Sequence, residues 1–331
     1  MIHVNFWSLF LKKKQARITG IGSYLPQKKL TNQDLENLVD TSDEWIVSRT
    51  GMKERRIALS EEKASDLGVE AAKKALDDAR ISKESVDYLL VSTMTPDYIT
   101  PSTAALIQKK LELKEIPALD VSSACTGFLY TLELAKALIE SGLYETILVV
   151  ATEKMSSVID YEDRATCVLF GDGAAAVVVR AFGAGLLIEE SVLGTDGSLA
   201  HLMTLNSFPD APKERFFQME GKEIFKHAVR RMSYYAKTCL EKANLSLDQI
   251  RWIIPHQANL RIISAIAKGL EIDESICYKT LHKYGNTSSS TIGIALDELL
   301  KESPLQEKDH ILLLAFGGGL TFGALLLSRI D

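Results

Sequence analysis

Two kinds of apolar pattern alternate along this chain. Short continuous runs, such as TILVVA at 146–151 and HILLLAF at 310–316, suit strands buried on both faces. Longer segments carry apolar residues three and four apart and predict amphipathic helices. The order of these patterns repeats. PALDVSSACTGFLYTLELAKALIESGLYETILVVATE reads as strand, small-residue loop, helix, turn, strand, and KYGNTSSSTIGIALDELLKESPLQEKDHILLLAFGGG reads the same way. A second pair, VDYLLVSTMTPDYITPSTAALIQKKLEL and IRWIIPHQANLRIISAIAKGLEI, gives strand, polar loop, helix in both copies. A third pair, FGDGAAAVVVR and FGGGLTFGALLLSR, predicts two glycine-rich hairpins, with Asp172-Gly173 as a tight-turn dipeptide. Three corresponding pairs in one order predict a duplicated α/β chain, its halves meeting near Phe182–Leu186. In the second half an irregular stretch from Ser191 to Met219 precedes a helix over Gly221–Asn244. The stripe Phe225, Val229, Met232 and Ala236 is expected to face the core.

Composition narrows the class. A chain of 331 residues with 46% apolar and 25% charged residues is expected to be soluble and globular, with one large or two ordinary domains. The net charge of -6 argues against a general affinity for nucleic acid. Cys125, Cys167, Cys239 and Cys277 are scattered without paired spacing, so neither a disulfide framework nor a zinc site is expected, and a reducing compartment is. The histidines add no metal-ligand spacing: His282 and Cys277 lack a further pair, and His227 falls on a helix face. The opening MIHVNFWSLFL precedes Lys12, Lys13 and Lys14, the reverse of a secretory signal, and it is too short to span a bilayer. It reads as an N-terminal extension, and no membrane association is expected.

Three polar residues stand where such a fold places chemistry. Cys125 lies between an apolar strand and a helix, so the helix N-terminus should favour its thiolate. The alternative is a small buried thiol. His256 follows the strand that Pro255 ends, beside Gln257 and Asn259; the alternative is a capping or loop histidine. Asn286 is also a good helix cap, but it occupies the place in the second repeat that Cys125 holds in the first.

With these residues the chain resembles the β-ketoacyl-acyl carrier protein synthase III family of thiolase-like condensing enzymes. GIGSYLP, DTSDEWIVSRTG, the Cys125 segment, DRATCVLFGDGAAA, PHQANLRI, YGNTSSS and AFGGGLTFG carry the resemblance from about Arg17 to Leu327. It implies a thiolase-like α/β fold of two similar halves, each with a mixed five-stranded sheet, layered αβαβα, in a homodimer. The expected division is 1–14 as extension, 15–183 as the half with the nucleophile, and 184–331 as the half with His256 and Asn286.

The resemblance implies that Cys125 takes a short acyl group, most simply acetyl, from CoA. Malonyl-acyl carrier protein would then decarboxylate, and its carbanion would attack the acyl-cysteine. His256 and Asn286 would stabilise the enolate, and no cofactor or metal is implied. Backbone N–H groups of Cys125 and Gly318 would hold the acyl-transfer oxyanion, and Phe316 would shield the malonyl carboxylate. Trp45 and Arg164 would flank the adenine of CoA, with Arg49, Thr50 and Asn259 further along its path. Lys226, Gln257, Arg261 and Lys268 would meet the acidic carrier protein. Thr100 stands where many members of the family carry phenylalanine, at the end of the partner subunit's acyl channel, which implies room for primers longer than acetyl.

Two other classes share some of these residues. A papain-like hydrolase also orders Cys, His and Asn in this way, but its local cysteine context is missing and a duplicated α/β chain does not suit it. A non-catalytic acyl-CoA or carrier-binding protein would not need all three positions filled. Within the enzyme class, a synthase making a specialised β-keto product is the alternative.

Overall fold

A computed structural model describes residues 14–208 and 210–331. The expected extension over residues 1–14 lies, apart from Lys14, outside the described residues. In the first half, β1 (Arg17–Tyr24), α1 (Asp43–Thr50), α2 (Ala64–Asp78), β2 (Tyr88–Ser92), α3 (Thr103–Lys110), β3 (Ala118–Val121), α4 (Gly127–Glu140), β4 (Thr146–Glu153) and β5 (Gly173–Arg180) build the main elements. The second half supplies β6 (Gly185–Thr195), α5 (Gly221–Ala243), β7 (Ile250–Pro255), α6 (Leu260–Leu270), α7 (Thr291–Glu302), β8 (His310–Gly317) and β9 (Thr321–Ile330).

The strands lie side by side in the order β7-β8-β9-β6-β1-β5-β4-β2-β3. Read outward from the centre, the two sides mirror each other. β1 and β6 occupy the middle and pair antiparallel at Arg17–Leu187 and Ile18–Leu186, which joins the two sheets into one. β5 and β9 come next, then β4 and β8, then β2 and β7. β3 completes five strands on the first side. Its counterpart on the second side is reduced to one parallel bridge between Ile253 and Cys277.

Alternation along the strands explains the layers. In β4, Ile147, Val149 and Ala151 pack with α4 and α7, whereas Leu148 and Val150 pack with α2 and α3. In β8, Ile311, Leu313 and Ala315 face the same central helices, whereas Leu312, Leu314 and Phe316 pack toward α5 and α6. Successive side chains point to opposite faces, and here both faces are covered. The strands are therefore apolar throughout, and the architecture is αβαβα, with α4 and α7 as the shared middle layer.

Several expectations shift in detail. The FGGG segment does connect β8 and β9 as a hairpin. Asp172-Gly173 does not turn a hairpin: Gly173 pairs with Glu153 across an excursion that runs from 154 to 172. Asp172 is buried and accepts hydrogen bonds from Ala58 N (2.8 Å), Ser156 N (2.8 Å) and Ser156 Oγ (2.6 Å), so its carboxylate braces that excursion. On α5 the buried stripe is Ile224, Ala228, Met232 and Ala236, which leaves Phe225 and Val229 only partly buried at its edge.

β1 lies directly against α2. A Cβ at Gly22 would fall 2.6 Å from Ala75 N and 2.7 Å from Ala71 O, both rigid backbone. Gly22→Ala is therefore expected to destabilise the protein by about 2 kcal/mol or more through overpacking, read as a lower midpoint in urea unfolding.

Candidate active site

The parallel strands end on one side, where the N-termini of the two central helices meet. After β3 the chain makes a short turn at Ala124–Thr126 before α4; after residue 287 it makes the same turn at Ser288–Ser290 before α7. Ala124 (φ 46°) and Ser288 (φ 52°) both hold the left-handed conformation that non-glycine residues seldom adopt. The shared kink fixes the register of the duplication: Ala124 matches Ser288, and Cys125 matches Ser289. Asn286 is thus not the counterpart of Cys125 but stands three residues before it. Sequence patterning lacked the kink that sets this register.

Each side chain is aimed by backbone on both sides. Cys125 is 6% exposed, and its Sγ lies 3.5 Å from Ser288 Oγ. Thr126 donates to Thr321 Oγ1 at 2.8 Å, tying the turn to β9. His256 leaves the end of β7 with its N–H on Leu314 O (2.7 Å), its ring edge-on to Phe316 (5.4 Å between centroids) and Nδ1 2.7 Å from Thr291 Oγ1. Nε2 is left for a substrate. Asn286 is held through its backbone to Leu169 O (2.8 Å) and Gly171 N (3.1 Å). Its Oδ1 accepts from Ser288 N at 2.8 Å, so the Nδ2 amide remains free to donate.

Burial decides the protonation states. The Cys125 thiol is pushed up to about 12 by desolvation, with Glu153 adding to the shift. Burial thus opposes the thiolate that the helix N-terminus is expected to favour. Burial also lowers His256 to about 3, so its imidazole is neutral.

A cavity of about 760 Å³ joins the three residues to the surface. Its wall includes Phe316, Asn259, Thr50 and Trp45, and Arg49, Lys226 and Arg261 stand around its mouth. Arg164 is not part of the wall; its guanidinium lies over the Trp45 ring, 5.0 Å from the centroid. Among the described residues no cluster of His, Cys, Asp or Glu could hold a metal ion, and no helix is long and apolar enough to cross a membrane.

Two family models match, the 3-oxoacyl-[acyl-carrier-protein] synthase III model at residues 119–197 and its C-terminal model at residues 240–329. A curated relative from Chlamydia caviae, the β-ketoacyl-[acyl-carrier-protein] synthase III, is 52% identical over 97% of this chain and 98% of its own. The solved 3-oxoacyl-[acyl-carrier-protein] synthase III of Aquifex aeolicus is 46% identical and superposes with a TM-score of 0.90, over 95% of this chain and 100% of its own. That of Pseudomonas aeruginosa, at 36% identity, also has a TM-score of 0.90, over 96% of this chain and 99% of its own. The chain belongs to the β-ketoacyl-acyl carrier protein synthase III family. It is an acyltransferase of the condensing type.

Within the synthase, several expected contacts are placed differently. Gln257 is fully buried; its amide donates to Pro255 O (2.6 Å) and Tyr278 O (3.2 Å) and accepts from Thr280 N (2.9 Å). It braces the loop under His256 and cannot present itself to a carrier protein. Thr50 has committed its hydroxyl to Ile46 O (2.6 Å) and Met52 N (3.0 Å). Asn259 caps α6 through Oδ1, leaving its amide hydrogens for a ligand. Lys268 is exposed on α6 but outside the cavity wall, as are Thr100, on the exposed loop before α3, and Gly318. In the β8–β9 turn the crowded glycine is Gly317, where a Cβ would stand 2.8 Å from Cys125 N; at Gly318 the nearest atom is 3.5 Å away.

Other residues escaped sequence reasoning. Lys222 stands at the mouth with Lys226, one helical turn away on α5, a spacing the predicted helix already contained. Ser288, Thr291 and Glu153 carried no signal, because they act through contacts between distant segments.

A neutral buried His256 makes the synthase sensitive to acid. Its folded value lies below its ordinary value of 6.5, so the unfolded chain binds the extra proton first. Stability is expected to fall as pH drops below about 6.5 and to keep falling toward about 3, at up to about 1.4 kcal/mol per pH unit from this residue. Urea unfolding across that range should show a shallower acid limb in His256→Gln.

Proposed function

We propose that this synthase condenses a short acyl-CoA, most simply acetyl-CoA, with malonyl-acyl carrier protein through an acyl-Cys125 intermediate, starting type II fatty acid synthesis. The observation that carries the reading is the convergence of Cys125, His256 and Asn286 on one cavity. In the first stage Cys125 attacks the thioester carbonyl and CoA leaves as its thiol. The oxyanion is held by backbone N–H groups of Cys125 and Gly318, which the close approach of Gly317 supports.

In the second stage decarboxylation of the malonyl thioester places negative charge on its carbonyl oxygen. Two neutral donors, His256 Nε2–H and Asn286 Nδ2–H, stabilise that charge in a site of low dielectric. For His256 to donate from Nε2, Nδ1 must accept from the Thr291 hydroxyl 2.7 Å away, which then turns from its 3.1 Å bond to Ser288 O. Phe316 shields the departing carboxylate. Side chains and amides supply the whole reaction, so no cofactor enters it.

Trp45 and Arg164 flank the adenine of CoA. A purine between them needs about 7 Å, two van der Waals contacts, so Arg164 swings out from its 5.0 Å stack when CoA binds. Arg49 and Asn259 line the way inward, with Thr50 contributing shape rather than hydrogen bonds. Lys222, Lys226 and Arg261 form the landing face for the acidic carrier protein, with Lys268 further along α6. The protein works as a homodimer: β3 is an edge strand with Leu119 exposed, and Tyr98 and Ile99 are exposed on the neighbouring loop. Thr100 beside them reaches the partner subunit's acyl channel. The free thiols suit the cytoplasm. The halves divide at 183/184, with residues 1–14 preceding them.

Intact-mass measurement after incubation with acetyl-CoA is expected to show one acetyl adduct on Cys125, absent in Cys125→Ser. His256→Ala and Asn286→Ala should still acylate while losing about 100- to 1000-fold in malonyl decarboxylation; equal loss of both steps would contradict this division. Lys222→Ala combined with Arg261→Ala should raise KM for malonyl-acyl carrier protein more than for malonyl-CoA.

A further inference from the structure

Glu153 ends β4 directly beneath the two meeting turns, 0% exposed, and has no role in the chemistry described above. Its Oε2 accepts from Met94 N (3.0 Å), Thr95 Oγ1 (2.8 Å) and Thr93 Oγ1 (3.3 Å). Its Oε1 accepts from Ser289 Oγ (2.6 Å) and Ser288 Oγ (3.2 Å). A carboxylate facing five donors is consistent with the ionised form. Among the described residues it forms no salt bridge. The neighbouring Lys154 turns its amine away to Leu59 O (2.7 Å) and Glu62 O (2.5 Å), so the titratable group facing Glu153 is the Cys125 thiol.

The same Ser288 hydroxyl lies 3.5 Å from Cys125 Sγ, and among the described residues it is the only hydrogen-bond partner of that sulfur. Burial disfavours the Cys125 thiolate, and attack by Sγ–H releases a proton that needs an acceptor. His256 makes no hydrogen bond to the sulfur. Ser288 can accept from Sγ–H with a lone pair and donate its own hydrogen to Glu153. The hydroxyl also reaches Met94 Sδ (3.3 Å), a weak acceptor that allows it to rotate between partners.

We propose that Glu153 is the proton acceptor for Cys125, reached through the hydroxyl of Ser288. As Sγ attacks the acyl-CoA carbonyl, its proton passes to Ser288 Oγ while the Ser288 hydrogen passes to Glu153 Oε1. When the tetrahedral adduct collapses, the C–S bond to CoA breaks. The same proton returns from Glu153 through Ser288 to the departing CoA sulfur. Acyl-CoA and thiol enter, acyl-Cys125 and CoA thiol leave, and Glu153 ends as the carboxylate it was. Desolvation raises the Glu153 carboxyl above its ordinary range, which makes it a better proton acceptor. The reading rests on the acyl-Cys125 chemistry proposed above, but the relay can be examined without CoA.

The test compares wild type, Glu153→Gln, Glu153→Asp and Ser288→Ala. Iodoacetamide alkylation of Cys125 and acetylation by acetyl-CoA are followed from about pH 6 to about pH 10, a range that spans ordinary thiol titration. Glu153→Gln and Ser288→Ala are expected to slow both reactions about 100-fold near neutral pH. Their rates should climb steadily with hydroxide, where wild type is flatter, and Glu153→Asp should recover part of the loss. Acetylation should fall at least about 10-fold more than malonyl decarboxylation, which moves no thiol proton. Alkylation rates and pH profiles in Ser288→Ala that match wild type would overturn the relay, even if Glu153→Gln failed to fold. Wild type that alkylates with the expected profile but takes no acetyl group would instead sink the function proposed above and leave the relay standing.

Discussion

The contact between two kinked turns, Ala124–Thr126 and Ser288–Ser290, is the constraint on which the site depends. Each turn holds a non-glycine residue in the left-handed region, a conformation that persists only where surrounding structure over-determines it. Here the surroundings are the two central helices, α4 and α7, buried between two sheets. Duplication brings the equivalent helix ends together, and the meeting point receives one reactive side chain from the first half and two from the second. The proposed catalytic group is thus a product of the interface between the repeats rather than of either repeat.

The same packing determines the chemistry. Burial at the inner end of the cavity, beside Phe316, disfavours the thiolate of Cys125 and keeps the His256 imidazole neutral. On the mechanism proposed above, such a site works through neutral donors whose directions are set in advance. Ser288 N fixes the Asn286 amide and Thr291 fixes the His256 ring, so little reorganisation accompanies the appearance of charge.

Much of this was legible in the sequence. The doubly apolar runs at 146–151 and 310–316 reported strands covered on both sides, and the repeated order of patterns reported the duplication. Cys125, His256 and Asn286 fell at the loops that follow strands, where α/β sheets place their sites. What stayed hidden depends on contacts between distant segments. The exact register of the repeats needed the kinks at Ala124 and Ser288. Asp172-Gly173 has the composition of a tight turn, yet the buried carboxylate is satisfied by Ala58 and Ser156, far away in the chain. Gln257 resembled a polar group at a binding face, and only its backbone partners at 255, 278 and 280 identify it as an internal brace.

The stack of Arg164 on Trp45 has a consequence for affinity. The guanidinium already occupies the indole face that a purine would take, and it is tethered by a hydrogen bond to Asp40 O at 2.7 Å. A purine entering between the two, as proposed above, would break this one stack and form two, and the displaced contact is worth about 0.5–1 kcal/mol at such an exposed position. The protein therefore carries its own weak competitor at the rim. On that reading the resident guanidinium offsets only part of what the adenine end contributes.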